Sequence, residues 1–356
     1  MHPTSRRNSM SKIDSSATKT ASASAAADAV LSPDEQEAQS PACVMSFNAS
    51  EASGASGLGC DVATIAAMGA HCLPVVTAIV LRDTAEVFEH HTLDTDTIAE
   101  QARLILEDVP ITAWKVGFLG SAEGVATVAE VLSDYPDVPL VAYLPNLSWL
   151  DEEQQQSYLD AFRELILPQT HVLVGNHKTL TDFLLPDWDA DRPASPRELA
   201  VAAAQHGAAH VLVTGISLPN QFVDNVLATA QGPITGEKFE RFEVSFVGAG
   251  DTLSAALASL LAVGAEIHSA VGEALSFLDQ ALDGGFRPGM GAALPDRFFW
   301  ALPPDEDEEG EEGKEGEGAD GDAAATAASD GGSPEAAKSS LSLDDSTPGR
   351  PPRRMH

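Results

Sequence analysis

The chain reads as an α/β protein organised around a mostly parallel sheet. Three observations predict it. Short apolar runs alternate with amphipathic stretches about 10–15 residues long through the middle of the chain, the pattern of βαβ crossovers. Several of the apolar runs are rich in β-branched residues, as in Leu73–Val80 (LPVVTAIV). Glycine-rich loops sit beside them, where ligands of open α/β sheets bind.

The elements follow in order. Cys43–Phe47 is a first strand, and Asn48–Gly59 is the loop after it. Asp61–Gly69 is a helix and Leu73–Val80 a strand. In Thr95–Val109 apolar residues recur every three or four positions, the period of a helix. Ala113–Phe118 is a strand, Ala122–Tyr135 a helix, Leu140–Tyr143 a strand and Glu152–Ile166 a helix. His171–Val174 is a strand, Pro196–His206 a helix and His210–Thr214 a strand. Thr252–Leu261 and Ile267–Leu282 close the pattern as helices.

The ends differ. Residues 1–41 are rich in Ser, Ala and Thr, and residues 303–356 are acidic and then rich in Gly, Ala and Ser. Neither end carries enough apolar surface to offset the entropy of ordering it, so both are expected to be disordered and residues 42–302 to form one domain. The net charge is −34. No basic stripe exists to displace counterions from a phosphate backbone, which disfavours nucleic acid as a partner. Three cysteines without a CxxC pair suit reduced thiols in a cytoplasmic setting, and His71-Cys72 and His90-His91 lack partners at metal-ligand spacing. No apolar run approaches the ~20 residues of a membrane span, and Arg6-Arg7 precede no secretory apolar core.

The most informative segment is Phe246-Val247-Gly248-Ala249-Gly250-Asp251, which leads into an apolar, alanine-rich helix. A helix N-terminus presents unpaired N–H groups and a partial positive charge, and glycines let that backbone close on a phosphate. An acid beside such an anion hole suits accepting the proton of an attacking hydroxyl in phosphoryl transfer. The alternative is a turn in which Asp251 merely caps the helix.

Several segments together resemble the hydroxymethylpyrimidine/phosphomethylpyrimidine kinases of thiamine biosynthesis, within the ribokinase-like superfamily. Ser53-Gly54-Ala55-Ser56-Gly57-Leu58-Gly59-Cys60-Asp61 is similar to that family's glycine loop and helix start. Met68-Gly69-Ala70-His71 with Val75-Val76-Thr77-Ala78, Lys115-Val116-Gly117-Phe118-Leu119-Gly120-Ser121, Leu212-Val213-Thr214-Gly215 and Gly248–Asp251 follow in the family's order. The resemblance implies a three-layer α/β/α fold, ATP and Mg²⁺, a homodimer, and a pyrimidine alcohol as acceptor, with its monophosphate as a second candidate. It places the nucleotide near Asn176, Thr214 and Gly215. It places the acceptor near Glu51, Gly54, Gly57, Gly59 and Phe118, and catalysis at Gly248, Ala249, Gly250 and Asp251.

The departures bear on specificity. Gly59 stands where the family reads the pyrimidine with Gln, and Asp251 where Cys is common. Tyr143 and Thr179 replace acids on the metal side, so the Mg²⁺ ligands are unknown. Pyridoxal kinase and a non-catalytic pyrimidine- or nucleotide-binding relative therefore stand as alternatives. Other residues carry two readings each. Lys115 reaches a phosphate or, the preferred reading, caps a strand end against Glu123. Phe118 is a pocket wall or core. Glu51 accepts from a ring amine or is a solvated loop acid. Asn176 serves the nucleotide or an Asx turn. Cys60 reads as core. Asp251→Asn is expected to keep the helix cap and change stability little.

Overall fold

The computed structural model describes residues 40–219 and 221–301. The expected tails, residues 1–41 and 303–356, lie outside these except for Ser40 and Pro41. In chain order the elements are β1 (Cys43–Glu51), α1 (Gly57–Ala67), β2 (His71–Arg82), β3 (Val87–Thr92), α2 (Thr95–Leu106), β4 (Ala113–Val116), α3 (Ala122–Ser133) and β5 (Leu140–Tyr143). Then come α4 (Glu152–Ala161), β6 (Val172–Asn176), α5 (His177–Leu184), α6 (Pro196–Gln205), β7 (His210–Ser217), β8 (Phe222–Thr229), β9 (Gly232–Glu240), α7 (Ala249–Ala262) and α8 (Ile267–Asp283).

The strands join in one sheet of order β3-β2-β1-β4-β5-β6-β7-β8-β9. From β2 through β7 all pairs are parallel, while β3, β8 and β9 add antiparallel edges. One core cluster packs α2–α6 against one face through Phe47, Trp114, Tyr158 and Phe162. The other packs α1, α7 and α8 against the opposite face through Val44, Val141, Leu253 and Leu275. This is the three-layer fold that the alternating pattern predicts.

Local chemistry explains the helix starts. Side chains of Asp94, Ser121, Asp151 and Asn176 accept backbone N–H bonds at the starts of α2, α3, α4 and α5. Ser195 and Glu198 form a reciprocal capping box at α6. The helix expected over Glu152–Ile166 is regular only to Ala161 and continues as a π turn over Phe162–Ile166. Three strands and one helix (β3, β8, β9 and α5) are additional to the expected elements, and α7 begins three residues before Thr252.

Phe162 is fully buried between Tyr158 and Phe183, with ring centroids 6.1 Å from each. Phe162→Ala is expected to cost about 3–5 kcal/mol. The measurement is the denaturant midpoint, with an unchanged slope showing that the denatured state is not altered.

Candidate functional site

The β pleat carries the site. In β1 the residues Met45 and Phe47 face the α2–α6 layer, so Val44, Ser46 and Asn48 face α1 and α7. In β4 the same alternation turns Lys115 to that face, opposite Ser46 in the register. Polar residues at these inward positions are costly unless they are bonded to one another.

They are. Lys115 is fully buried, and its Nζ lies 2.9 Å from both carboxylate oxygens of Asp61 and 2.8 Å from Asp251 Oδ1. Asn48 Nδ2 donates to Asp61 Oδ2 and to Asp251 Oδ1, both at 2.9 Å. Ser46 Oγ donates to Asp61 at 2.7 Å. Asp61 comes from α1 and Asp251 from α7, so one ammonium group joins both helices to the sheet. The expected partner Glu123 is not part of this arrangement. Lys115 sits on the face opposite α3, which carries Glu123, and two closer acids surround it.

The electrostatics follow from burial and pairing. Burial alone would raise the Asp251 carboxyl, but Lys115 beside it, with bonds from Asn48 and the Gly57 N–H, brings it below its ordinary value. Asp61 is raised, because complete burial outweighs Lys115 and the Asp251 charge adds to the effect. Burial works against the Lys115 charge, yet the two carboxylates raise its pKa above the ordinary lysine value.

Asp251 does not cap α7. The N-cap is Gly248, at φ +85°, with no side-chain cap bond. A side chain at Gly248 would run into the Ala55 carbonyl, so only glycine fits this approach of two loops. Ala249, Gly250 and Asp251 then fill the first turn, whose amides have no partners within the helix. Asp251 Oδ1 takes two donors, while Oδ2 takes only the Gly57 N–H at 3.4 Å. Oδ2 is thus the oxygen free to receive a proton.

A cavity of about 370 Å³ opens here, lined by Asn48, Glu51, Gly57, Phe118, Tyr143, Trp149, Gly248 and Asp251 among others. It gathers Glu51, Gly57, Phe118, Gly248 and Asp251 from the expected site residues. Gly54 and Gly59 lie outside its lining, and Gly59 is exposed. Glu51 accepts from Ser53 N, Ser53 Oγ and Ser56 N at 2.5–2.8 Å, so its carboxylate knits the loop while facing the cavity. Phe118 is both wall and core, with Trp149 and Tyr158 rings 5.2 and 5.4 Å away. Cys60 is core as expected, with its thiol pushed up to about 12 by burial.

On the nucleotide side, Asn176 and Thr214 are register partners at the ends of β6 and β7. Asn176 Oδ1 accepts from Thr179 N at 2.9 Å, the Asx-type reading. The Gly215 N–H donates to buried Asn225 at 3.1 Å, and Thr214 Oγ1 donates to the Gly175 carbonyl at 3.3 Å. A second cavity of about 420 Å³ includes Asn176 and Thr179 and shares the wall Pro145-Asn146-Leu147 with the first. Thr214 and Gly215 line neither. Among the described residues no group of three or more His, Cys, Asp or Glu could hold a metal.

Sequence reasoning missed Asn48, Trp149 and two arginines. Arg82 lines the cavity and bonds Ser56 Oγ at 3.2 Å. Arg297 is buried and donates to the carbonyls of Gly54 and Ala55 and to Thr252 Oγ1. Polar Asn48 within an apolar strand was the one available signal; the arginines and Trp149 come from loops or strand ends with no periodicity to read.

Lys115→Met should cost about 3–5 kcal/mol at neutral pH, since it leaves two buried carboxylates without their cation. Both would then titrate above their unfolded value, so the deficit shrinks as pH falls through the raised folded value. In the unaltered protein Asp251 has the opposite sign. Its contribution is complete above the unfolded carboxylate value of about 3.9 and is lost as pH falls through the lower folded one. Urea titrations of both proteins from pH 7 to pH 3 read the two slopes. Asp251→Asn should lose about 1–3 kcal/mol through the weakened contact to Lys115, so the expectation of unchanged stability is corrected.

Residues 51–296 match the family described as phosphomethylpyrimidine kinase. A hydroxymethylpyrimidine/phosphomethylpyrimidine kinase of Streptomyces coelicolor is 30% identical over 74% of this chain and 96% of its own length. A chloroplastic thiamine biosynthetic bifunctional enzyme of Arabidopsis thaliana is 30% identical over 67% of this chain, which spans about half of that longer protein (46%). Among solved structures, an ADP complex of Bacillus subtilis pyridoxal kinase superposes with a TM-score of 0.67 at 23% identity, covering 74% of this chain and all of that one. The alternating layers, the paired glycine loops and the match over most of the chain agree: this chain belongs to the phosphomethylpyrimidine kinase family.

Proposed function

We infer that the protein is an ATP-dependent kinase that phosphorylates the hydroxymethyl group of 4-amino-5-hydroxymethyl-2-methylpyrimidine, with the monophosphate of that alcohol as a second acceptor. One observation carries the reading: the ionised Asp251 carboxylate faces the cavity from the same helical turn whose amides are unpaired. The acceptor alcohol would lie against the wall formed by Phe118 and Trp149, with its hydroxyl toward Asp251 Oδ2. Its oxygen attacks the γ-phosphorus, the bond from that phosphorus to the β–γ bridging oxygen breaks, ADP leaves, and the hydroxyl proton passes to Asp251. The amides of Ala249, Gly250 and Asp251 bind the charge that develops on the transferred group, an effect worth about 3–4 kcal/mol per well-placed donor. Mg²⁺ would enter with the nucleotide phosphates, since it keeps its waters readily and needs few protein ligands.

The second reading is pyridoxal kinase. The exposed Gly59 supports it, because no side chain there reads a pyrimidine edge, and so does the likeness to a pyridoxal kinase fold. Ile79, Leu81 and Phe88 stand exposed on β2 and β3, an apolar patch that supports a homodimer. No helix of the described residues is long and apolar enough to cross a membrane.

ADP release with ATP, Mg²⁺ and either alcohol separates the readings. Turnover of the pyrimidine supports ours, and turnover of pyridoxal alone rejects it. No ADP with either favours a binding protein. With the accepted alcohol, Asp251→Asn should lower kcat by about 10²–10⁴-fold while nucleotide affinity stays within a few-fold. An unchanged kcat would remove Asp251 as the base.

A further inference from the structure

Tyr143 ends β5 on the face that carries Lys115 and Asp251. Its ring lies so close over the first turn of α7 that a methyl group at Gly250 would collide with its Cζ and Oη atoms. Lys115 Nζ is 5.8 Å from the ring centroid, and the residue lines the same cavity as Asp251. Among the described residues its hydroxyl has no hydrogen-bond partner, unlike the hydroxyl of Tyr158, which accepts from Leu119 N. Burial, with the Asp251 charge adding to it, raises the phenol above its ordinary value, so it stays a neutral donor. A half-buried hydroxyl without a protein partner, set over unpaired amides, is a donor placed for an incoming acceptor.

We propose that Tyr143 is a catalytic residue whose hydroxyl donates a hydrogen bond to a non-bridging oxygen of the phosphoryl group in transfer. The role rests on the kinase reading and extends it. As the acceptor oxygen bonds to phosphorus and the bond to the ADP oxygen breaks, charge spreads over the three remaining phosphoryl oxygens. Tyr143 keeps its proton throughout, while the proton of the attacking hydroxyl goes to Asp251. The resemblance implies an acid at this position. A carboxylate would repel the phosphoryl oxygens in the absence of an intervening cation, whereas a phenol attracts them.

Tyr143→Phe removes only the hydroxyl. Two readouts test it: binding of ADP with aluminium fluoride, which mimics the group in transfer, and turnover of the pyrimidine alcohol. We expect ADP–aluminium fluoride affinity to fall at least about 10-fold and kcat about 10²-fold, with ADP affinity and the KM of the alcohol held within about 2-fold. Melting temperature should move little, because no protein hydrogen bond of the hydroxyl is lost. Tyr143→His, which keeps a ring donor, should recover part of the loss. Unchanged affinity for the aluminium fluoride complex overturns the proposal whatever the turnover. So does a drop in melting temperature with equal weakening of ADP, which marks a structural ring. Absence of turnover with every alcohol rejects the kinase reading, while the binding experiment still decides the role of Tyr143.

Discussion

One ammonium group governs this architecture. Lys115 points into the dry layer between sheet and helices, where a lone charge is prohibitive, and it is tolerated because α1 and α7 each deliver a carboxylate to it. Three separate stretches of chain, near residues 46–61, 115 and 251, must arrive together for any of their charges to be accommodated. Burying an ion cluster is a poor route to stability. It is a good route to uniqueness, since a shift of β1 against β4 by one residue would turn Ser46 and Asn48, or Lys115, into the opposite apolar layer.

That arrangement also prepares the chemistry. Lys115 keeps Asp251 ionised and directs its less occupied oxygen outward, while Asn48 and the Gly57 N–H restrict its rotation. The proposed base is thus held by backbone and strand side chains, which favours a preformed geometry. Phe118, Trp149 and Glu51 line the same cavity, the wall that the proposed acceptor would meet.

Much of the fold was legible because the central strands are buried on both faces and read as unbroken apolar runs. The edges were not. β3 is Val-Phe-Glu-His-His-Thr, and β9 includes Gly-Glu-Lys-Phe-Glu, polar sequences whose strand character comes from pairing with a neighbour. α5 begins directly after Asn176, which both ends β6 and caps the helix, so no loop separates the two elements in the sequence. In the site, the glycines and Asp251 announced themselves by local spacing. The partner of Lys115 did not, because its acids lie 54 residues before it and 136 after it. Proximity of that kind is a product of topology, and a linear reading offered nearby Glu123 in its place.

The contact between Gly248 and the Ala55 carbonyl, secured by Arg297, makes the two glycine loops a single unit. Neither loop is displaced without dragging the other, so the proposed jaw has no joint of its own. Adaptation to a new acceptor would therefore come through replacement of wall residues in the loops after β4 and β5, leaving the proposed grip untouched. A scaffold of this kind would change its diet by refitting its panelling while its frame stays as it is.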